Sequence, residues 1–228
     1  MSVAIVTGAS RGLGLALTTR LVADGWQVVV DARDGEALAR SVADLGDAVT
    51  AIPGDVSEPA HREALVRQAE DLGRLDLLVN NASLLGPSPQ PALADYPLDV
   101  LRTVLEVNLI APLALIQRCL PLLGASAGIV INITSDAAVE GYEGWGGYGA
   151  SKAGLEQIGN VLAAEHPDIA VYRVDPGDMN TRMHQEAFPG EDISDRPPPE
   201  ESVPGLIELI TTRPTSGRYQ ARNPVEAQ

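Results

Sequence analysis

The chain has 228 residues, 45% hydrophobic and 21% charged, with a net charge of −15 at pH 7, which suits one well-buried globular core rather than a disordered or fibrous chain. A pI near 4.5 excludes a basic footprint, so neither nucleic acid nor an anionic membrane is an expected partner, and an anionic cofactor would need local basic groups. The single cysteine, Cys119, excludes an internal disulfide and predicts a reducing, cytoplasmic setting with the thiol as a small buried apolar residue.

Met1 to Gly8 carries no basic leader and only a short apolar run, so no signal peptide is expected. No unbroken apolar stretch of about 18 residues occurs, which predicts no membrane span. Val3 to Thr7 reads as a buried strand. It runs into Gly8-Ala9-Ser10-Arg11-Gly12-Leu13-Gly14 and then a helical pattern to about Asp24. Glycines at a helix N-terminus let backbone amides approach a diphosphate. A strand at Gln27 to Asp31 and a helix from Gly35 to Leu45 complete a βαβ opening. The alternation continues with strand Ala48 to Pro53, helix Glu58 to Leu72, strand Asp76 to Asn80, a helical region Leu98 to Leu123, and strand Gly128 to Thr134. A helix carrying Tyr148 follows, then strand Ile169 to Val174, a loop, a helix near Glu200 to Thr212 and a short strand Arg218 to Ala221. Continuous apolar strands alternating with helices predict an α/β fold, a doubly wound parallel sheet of the Rossmann type, as one domain over residues 1–228.

Tyr148 and Lys152 stand four residues apart, on one face if the segment is helical. Of the 16 Lys and Arg residues, Lys152 is the only lysine. A compact ammonium and a planar guanidinium are not interchangeable, so this position asks for the former. Free tyrosine titrates near about 10, so acid–base work at neutral pH asks for a shift of about three units, roughly 4 kcal/mol. Desolvation pushes the wrong way, which leaves the nearby cation, Lys152, as the source of that shift.

Taken together the motifs resemble those of the short-chain dehydrogenase/reductase family, in its single-domain branch, over residues 1–222. Thr7-Gly8-x-x-x-Gly12-x-Gly14, Asn80-Asn81-Ala82-Ser83, Asn108, Ser135, Tyr148-x-x-x-Lys152 and Pro176-Gly177-x-x-x-Thr181 occur in the family's order. The resemblance implies a nicotinamide-dependent oxidoreductase interconverting a ketone or aldehyde and an alcohol. Tyr148 is then the proton donor or base, Ser135 a donor to the substrate oxygen, and Lys152 a partner of the phenol and the nicotinamide ribose. Asn108 holds a relay water. Gly8, Ser10, Arg11, Gly12, Leu13, Gly14, Asn81, Ala82, Pro176, Gly177 and Thr181 border the cofactor, with Asp55 and Val56 at its adenine. Ser83 departs from the family's glycine.

The residue matching the family's NAD-selecting acid is Ala32. Asp31 falls one position early, on the opposite face. With Arg33 next to it and Arg11 in the glycine loop, NADP(H) is preferred and NAD(H) possible. Gly177 to Glu200, with Met179, Met183, His184 and Phe188, resembles a substrate lid over about residues 178–199. Tyr142 and Trp145 add aromatic walls, which favours an apolar or aromatic substrate, and the lid's acids disfavour an anionic one. No metal site is expected. His61 and His166 read as surface helix residues and Asp136 as a solvated or capping acid. Apolar Leu109, Ile110, Leu113, Leu115 and Ile116 suggest a helix buried by a partner subunit, hence a homodimer or homotetramer, as is common in relatives. Two alternatives stay open: an NAD-dependent alcohol dehydrogenase working oxidatively, and a non-catalytic NADP-binding sensor.

Overall fold

The computed structural model describes residues 1–226. The last two residues of the expected domain therefore lie outside the described residues. The strands are β1 (Val3–Val6), β2 (Gln27–Ala32), β3 (Val49–Pro53), β4 (Leu77–Asn80), β5 (Ile129–Ile133), β6 (Ala170–Asp175), β7 (Gly217–Gln220) and β8 (Asn223–Glu226). They form one sheet in the order β3-β2-β1-β4-β5-β6-β7-β8, the first seven parallel and β8 antiparallel to β7. The doubly wound Rossmann architecture is thus present, with β8 as an edge strand the sequence reading did not foresee.

Strand alternation builds two cores. Ala4 and Val6, Val28 and Val30, Leu77 and Val79, and Ile129 and Ile131 face one layer, which holds α1 (Gly12–Ala23), α2 (Gly35–Val42) and α8 (Val203–Thr212). Val3, Ile5, Val29, Leu78 and Val130 face the other, which holds α3 (Pro59–Asp71), α5 (Ala111–Ser126) and α6 (Gly146–Glu165). Helices on both faces explain why the strands are apolar throughout rather than alternately polar. Cys119 is in the second core, where burial, with the nearby Glu70 charge, pushes its thiol up to about 12.

Two expectations about helices are corrected. The α2 helix stops at Val42 and passes into a 3₁₀ segment, Ala43–Ala48, broken at Gly46 with φ of +64°. The region from Leu98 is α4 (Leu98–Leu105), a π-turn at Glu106–Ile110, then α5. That run, Leu98–Ser126, carries an 18-residue window of mean hydropathy 1.5 and is, by length and composition, apolar enough to cross a membrane, contrary to the sequence reading. The reading sought an unbroken apolar run, whereas an average tolerates Asn108, Gln117 and Arg118. In this fold the same residues serve a core helix, with Leu115, Ile116, Cys119 and Leu123 packed on the sheet.

Strand order reverses between β1 and β4, leaving a crevice at the carboxyl edge of the sheet where ligands bind in such folds. The sequence motifs lie at that edge.

Candidate active site

The glycine loop leaves β1 at Thr7 and is shaped by Gly8 and Gly12, with φ of +70° and +56°, which a side chain would disfavour. Thr7 Oγ1 accepts from the amides of Asn81 and Ala82, both at 3.0 Å. Asn81 Nδ2 donates to the carbonyls of Thr7 and Gly8, at 2.8 and 3.2 Å. The turn after β4 is therefore laced to the glycine loop. A Cβ on Gly12 would come within 3.6 Å of Thr181 Cγ2, so the Pro176–Thr181 segment closes the same loop from the other side.

α1 begins at Gly12 with no side-chain cap and no acid in its first turn, so its free amides and positive end face the crevice uncompensated. Arg11 and Arg33 are exposed nearby. These features fit an anionic dinucleotide. Asp31 is engaged elsewhere: Gly8 N donates to Asp31 Oδ1 at 2.7 Å, and His61 Nε2 pairs with Oδ2 at 2.9 Å. His61, with its side chain 8% exposed, is thus a neighbour of the loop and not the surface residue its helical position suggested. The Asp55 carboxyl is opposed by burial, but the Ser57 amide and hydroxyl and the Arg33 charge hold it below the usual carboxylate range. Val56 is buried, with its carbonyl accepting from the Arg62 guanidinium at 2.7 Å.

Tyr148 and Lys152 occupy the first turns of α6 and are both buried. Tyr148 packs with Leu85 and Ala137, flanked by Trp145, Met183 and Ala187. Lys152 Nζ lies 5.5 Å from the phenol ring centroid and donates to Ile133 O at 2.8 Å. Burial pushes the phenol's pKa up, reinforced by the Asp175 and Asp136 charges and opposed by the Ser83 hydroxyl. It also pulls the Lys152 ammonium down to about 7. The expectation that Lys152 acidifies the phenol does not hold in this state, because desolvation dominates both groups and the ammonium's bond goes to a carbonyl.

Asn108 is buried in the π-turn. Its Oδ1 accepts from Leu84 N at 2.7 Å, and its Nδ2 donates to Leu84 O at 2.8 Å and Ser151 Oγ at 3.0 Å. Ser151 Oγ in turn donates to Tyr148 O at 2.6 Å. Asn108's amide therefore ties the loop after β4 to the tyrosine's own helical turn.

Ser135 follows β5. Its Oγ donates to Asp136 Oδ1 at 2.9 Å and accepts from Ala137 N at 3.2 Å. Ser135 is the side-chain cap of the short turn Asp136–Ala138, while Asp136 is exposed, its carboxylate accepting from Ala137 N at 2.8 Å and from the Tyr142 hydroxyl at 3.1 Å.

The segment read as a loop resembling a substrate lid contains α7 (Arg182–Ala187), capped by Thr181, whose Oγ1 accepts from His184 N at 3.3 Å. Phe188 lies 6.0 Å from Trp145 and 4.9 Å from His184 between ring centroids, and Trp145 meets Tyr148 edge-on at 5.7 Å. Gly177, at φ +71°, turns the chain after Pro176, whose carbonyl accepts from Ser202 Oγ at 2.8 Å.

A family profile described as short chain dehydrogenase matches residues 2–192. The chain belongs to the short-chain dehydrogenase family. A serine 3-dehydrogenase from Agrobacterium fabrum strain C58 is 36% identical over 185 residues, covering 78% of this chain and 72% of that protein. A benzil reductase from Saccharomyces cerevisiae is 31% identical over 219 residues, covering 92% and 81%. A short chain dehydrogenase from Shigella flexneri 2a strain 301, solved with NADP, superposes with a TM-score of 0.90 at 27% identity, covering 97% of each chain. This short-chain dehydrogenase is an oxidoreductase acting on hydroxyl or carbonyl groups.

Sequence reasoning missed a brace beneath Ser135 in this short-chain dehydrogenase. Buried Glu156 accepts from Thr134 Oγ1 at 2.6 Å and Arg218 Nε at 3.1 Å, and Arg218 reaches Ser135 O at 3.3 Å. Glu156 stands one turn after Lys152 on α6, a spacing that marks a shared face and was the available signal. His61 left no such trace, since its partner is 30 residues away. His166 is half-buried at the end of α6.

Proposed function

We propose that this protein is an NADP(H)-dependent carbonyl reductase and alcohol dehydrogenase acting on apolar or aromatic ketones, aldehydes or secondary alcohols. The observation that carries this reading is the bonded path from the glycine loop through Asn81 and Asn108 to Tyr148, which couples a dinucleotide site to a buried phenol. NADP(H) is favoured because Asp31 is spent on Gly8 and His61, leaving Arg11 and Arg33 exposed at the site.

The bound nicotinamide supplies or accepts the hydride and, when oxidised, a positive charge. Tyr148 gives its proton to the carbonyl oxygen in reduction and takes one from the hydroxyl in oxidation. Ser135 Oγ, rotated away from Asp136, donates to the same oxygen. Lys152, with an ammonium pulled down to about 7, is poised to gain or lose a proton beside the phenol. Asn108 fixes the distance between cofactor turn and phenol. Trp145, Phe188, Met183 and Leu85 form the wall, and the benzil reductase relative acts on a compound of that character. The lid's acids, Glu191, Asp192 and Asp195, disfavour anionic substrates. We place the enzyme in the cytoplasm as a homodimer or homotetramer.

Aryl ketones and secondary alcohols should be screened with both cofactors by absorbance of the reduced nicotinamide. Tyr148→Phe is expected to lower kcat/KM by about a thousandfold with NADPH binding retained. Retained turnover in that variant overturns the reading, and a clearly lower KM for NADH than for NADPH overturns the cofactor preference.

A further inference from the structure

Ser83 Oγ is shut off from solvent and, among the described residues, meets no partner at full hydrogen-bond geometry. Burying an unpartnered hydroxyl is costly, so such a group points to a partner supplied in another state of the site. Both of its neighbours are clamped. Ala82 N donates to Thr7 Oγ1 at 3.0 Å, and Leu84 is gripped at its amide and its carbonyl by the Asn108 side chain, at 2.7 and 2.8 Å. That same side chain reaches Tyr148 O through Ser151. Ser83 is therefore held in fixed register with the main chain of Tyr148.

The hydrophobic residues packed around the phenol are Leu85, Ala137, Met183, Ala187 and the Trp145 ring, and the Lys152 ammonium lies 5.5 Å from its ring centroid with its bond given to Ile133 O. The Ser83 hydroxyl is the neighbour that pulls the phenol's pKa down, against burial and the Asp175 and Asp136 charges. We infer that Ser83 is a positioning residue whose hydroxyl donates to Tyr148 Oη once the phenol has lost its proton, tuning the group that exchanges a proton with substrate. This rests on the reading of Tyr148 as the acid and base. The neutral phenol has its own proton and gains little from the donor, whereas the phenolate is an acceptor only, so Ser83 acts selectively on the ionised form.

Wild type, Ser83→Gly, Ser83→Ala, Ser83→Thr and Tyr148→Phe should be titrated with NADP⁺ bound, following tyrosinate absorbance near 295 nm, with the Tyr148→Phe curve subtracted. In parallel, the pH profile of kcat/KM for oxidation of 1-phenylethanol or the best secondary alcohol from the screen should be measured. The Gly and Ala variants are expected to move the Tyr148 midpoint and the acidic limb upward together by about 0.5 to 1 unit, a roughly three- to tenfold loss at pH 7 that vanishes at high pH. The Thr variant, which keeps the hydroxyl, is expected to follow the wild type. A uniform loss at every pH, or an unmoved midpoint, overturns the inference. If Tyr148→Phe abolishes turnover while the Ser83 variants titrate like wild type, the Ser83 inference alone fails. If Tyr148→Phe keeps its activity, both fall.

Discussion

Lys152 shows what burial does to a single side chain. Its ammonium is pulled from the ordinary 10.5 to about 7 by desolvation, so the unfolded chain holds that proton over a pH range in which the folded chain has released it. The fold is penalised in full below about pH 7, and the penalty fades as pH rises toward 10.5. Lys152→Met removes the penalty and forfeits one bond to Ile133 O. It is expected to raise stability by roughly 2 kcal/mol at pH 6, with the advantage gone near pH 10, while turnover is lost. Thermal melts at the two pH values check this, and an equal shift at both would contradict it. The pairing of Tyr148 with Lys152 was legible because a four-residue spacing on a helix leaves one geometric outcome. The direction of their titrations was not, since it depends on Leu85, Met183 and Ala187 arriving from distant segments. Ser83 was visible as a departure from glycine, but its proximity to the phenol was not.

At the scale of elements, apolar runs bounded by glycine located the parallel strands to within a residue or two, because a strand covered on both faces has no polar register to obscure. The antiparallel β8 escaped: four residues containing a proline carry no such run. The π-turn at Glu106–Ile110 escaped as well, because one extra residue in a helical turn leaves the apolar pattern nearly intact while rotating Asn108 toward Leu84. α8 is held by close approach rather than by pattern. A Cβ on Gly205 would overlap the main-chain oxygen of Ala221, and main chain yields less readily than a side chain. Gly205→Ala is expected to destabilise the protein by about 2 to 4 kcal/mol, read as a lower urea midpoint with an unchanged slope. A midpoint within experimental error of wild type would show that the α8 contact is loose.

For the whole molecule, the doubly wound fold followed from alternation alone, whereas assembly depends on surfaces that composition does not separate from core. Ile110, in the π-turn, and Val161, on α6, are 45% and 43% exposed, which suits their burial by the proposed partner subunit. Sedimentation is expected to give two or four copies, and Ile110→Lys with Val161→Lys a single one. A net charge of −15 per chain opposes association, so assembly should tighten as salt is raised from about 0.02 M to about 0.3 M. A monomer at every salt concentration would refute the pairing. The lone lysine has a further use. A protease that cuts only after lysine finds a single target in this polypeptide, locked in the second turn of the sheet-covering helix α6 beside the phenol. Scission into two pieces at residue 152 then becomes a clock for the opening of the catalytic centre itself, slowed by whatever small molecule holds that centre shut.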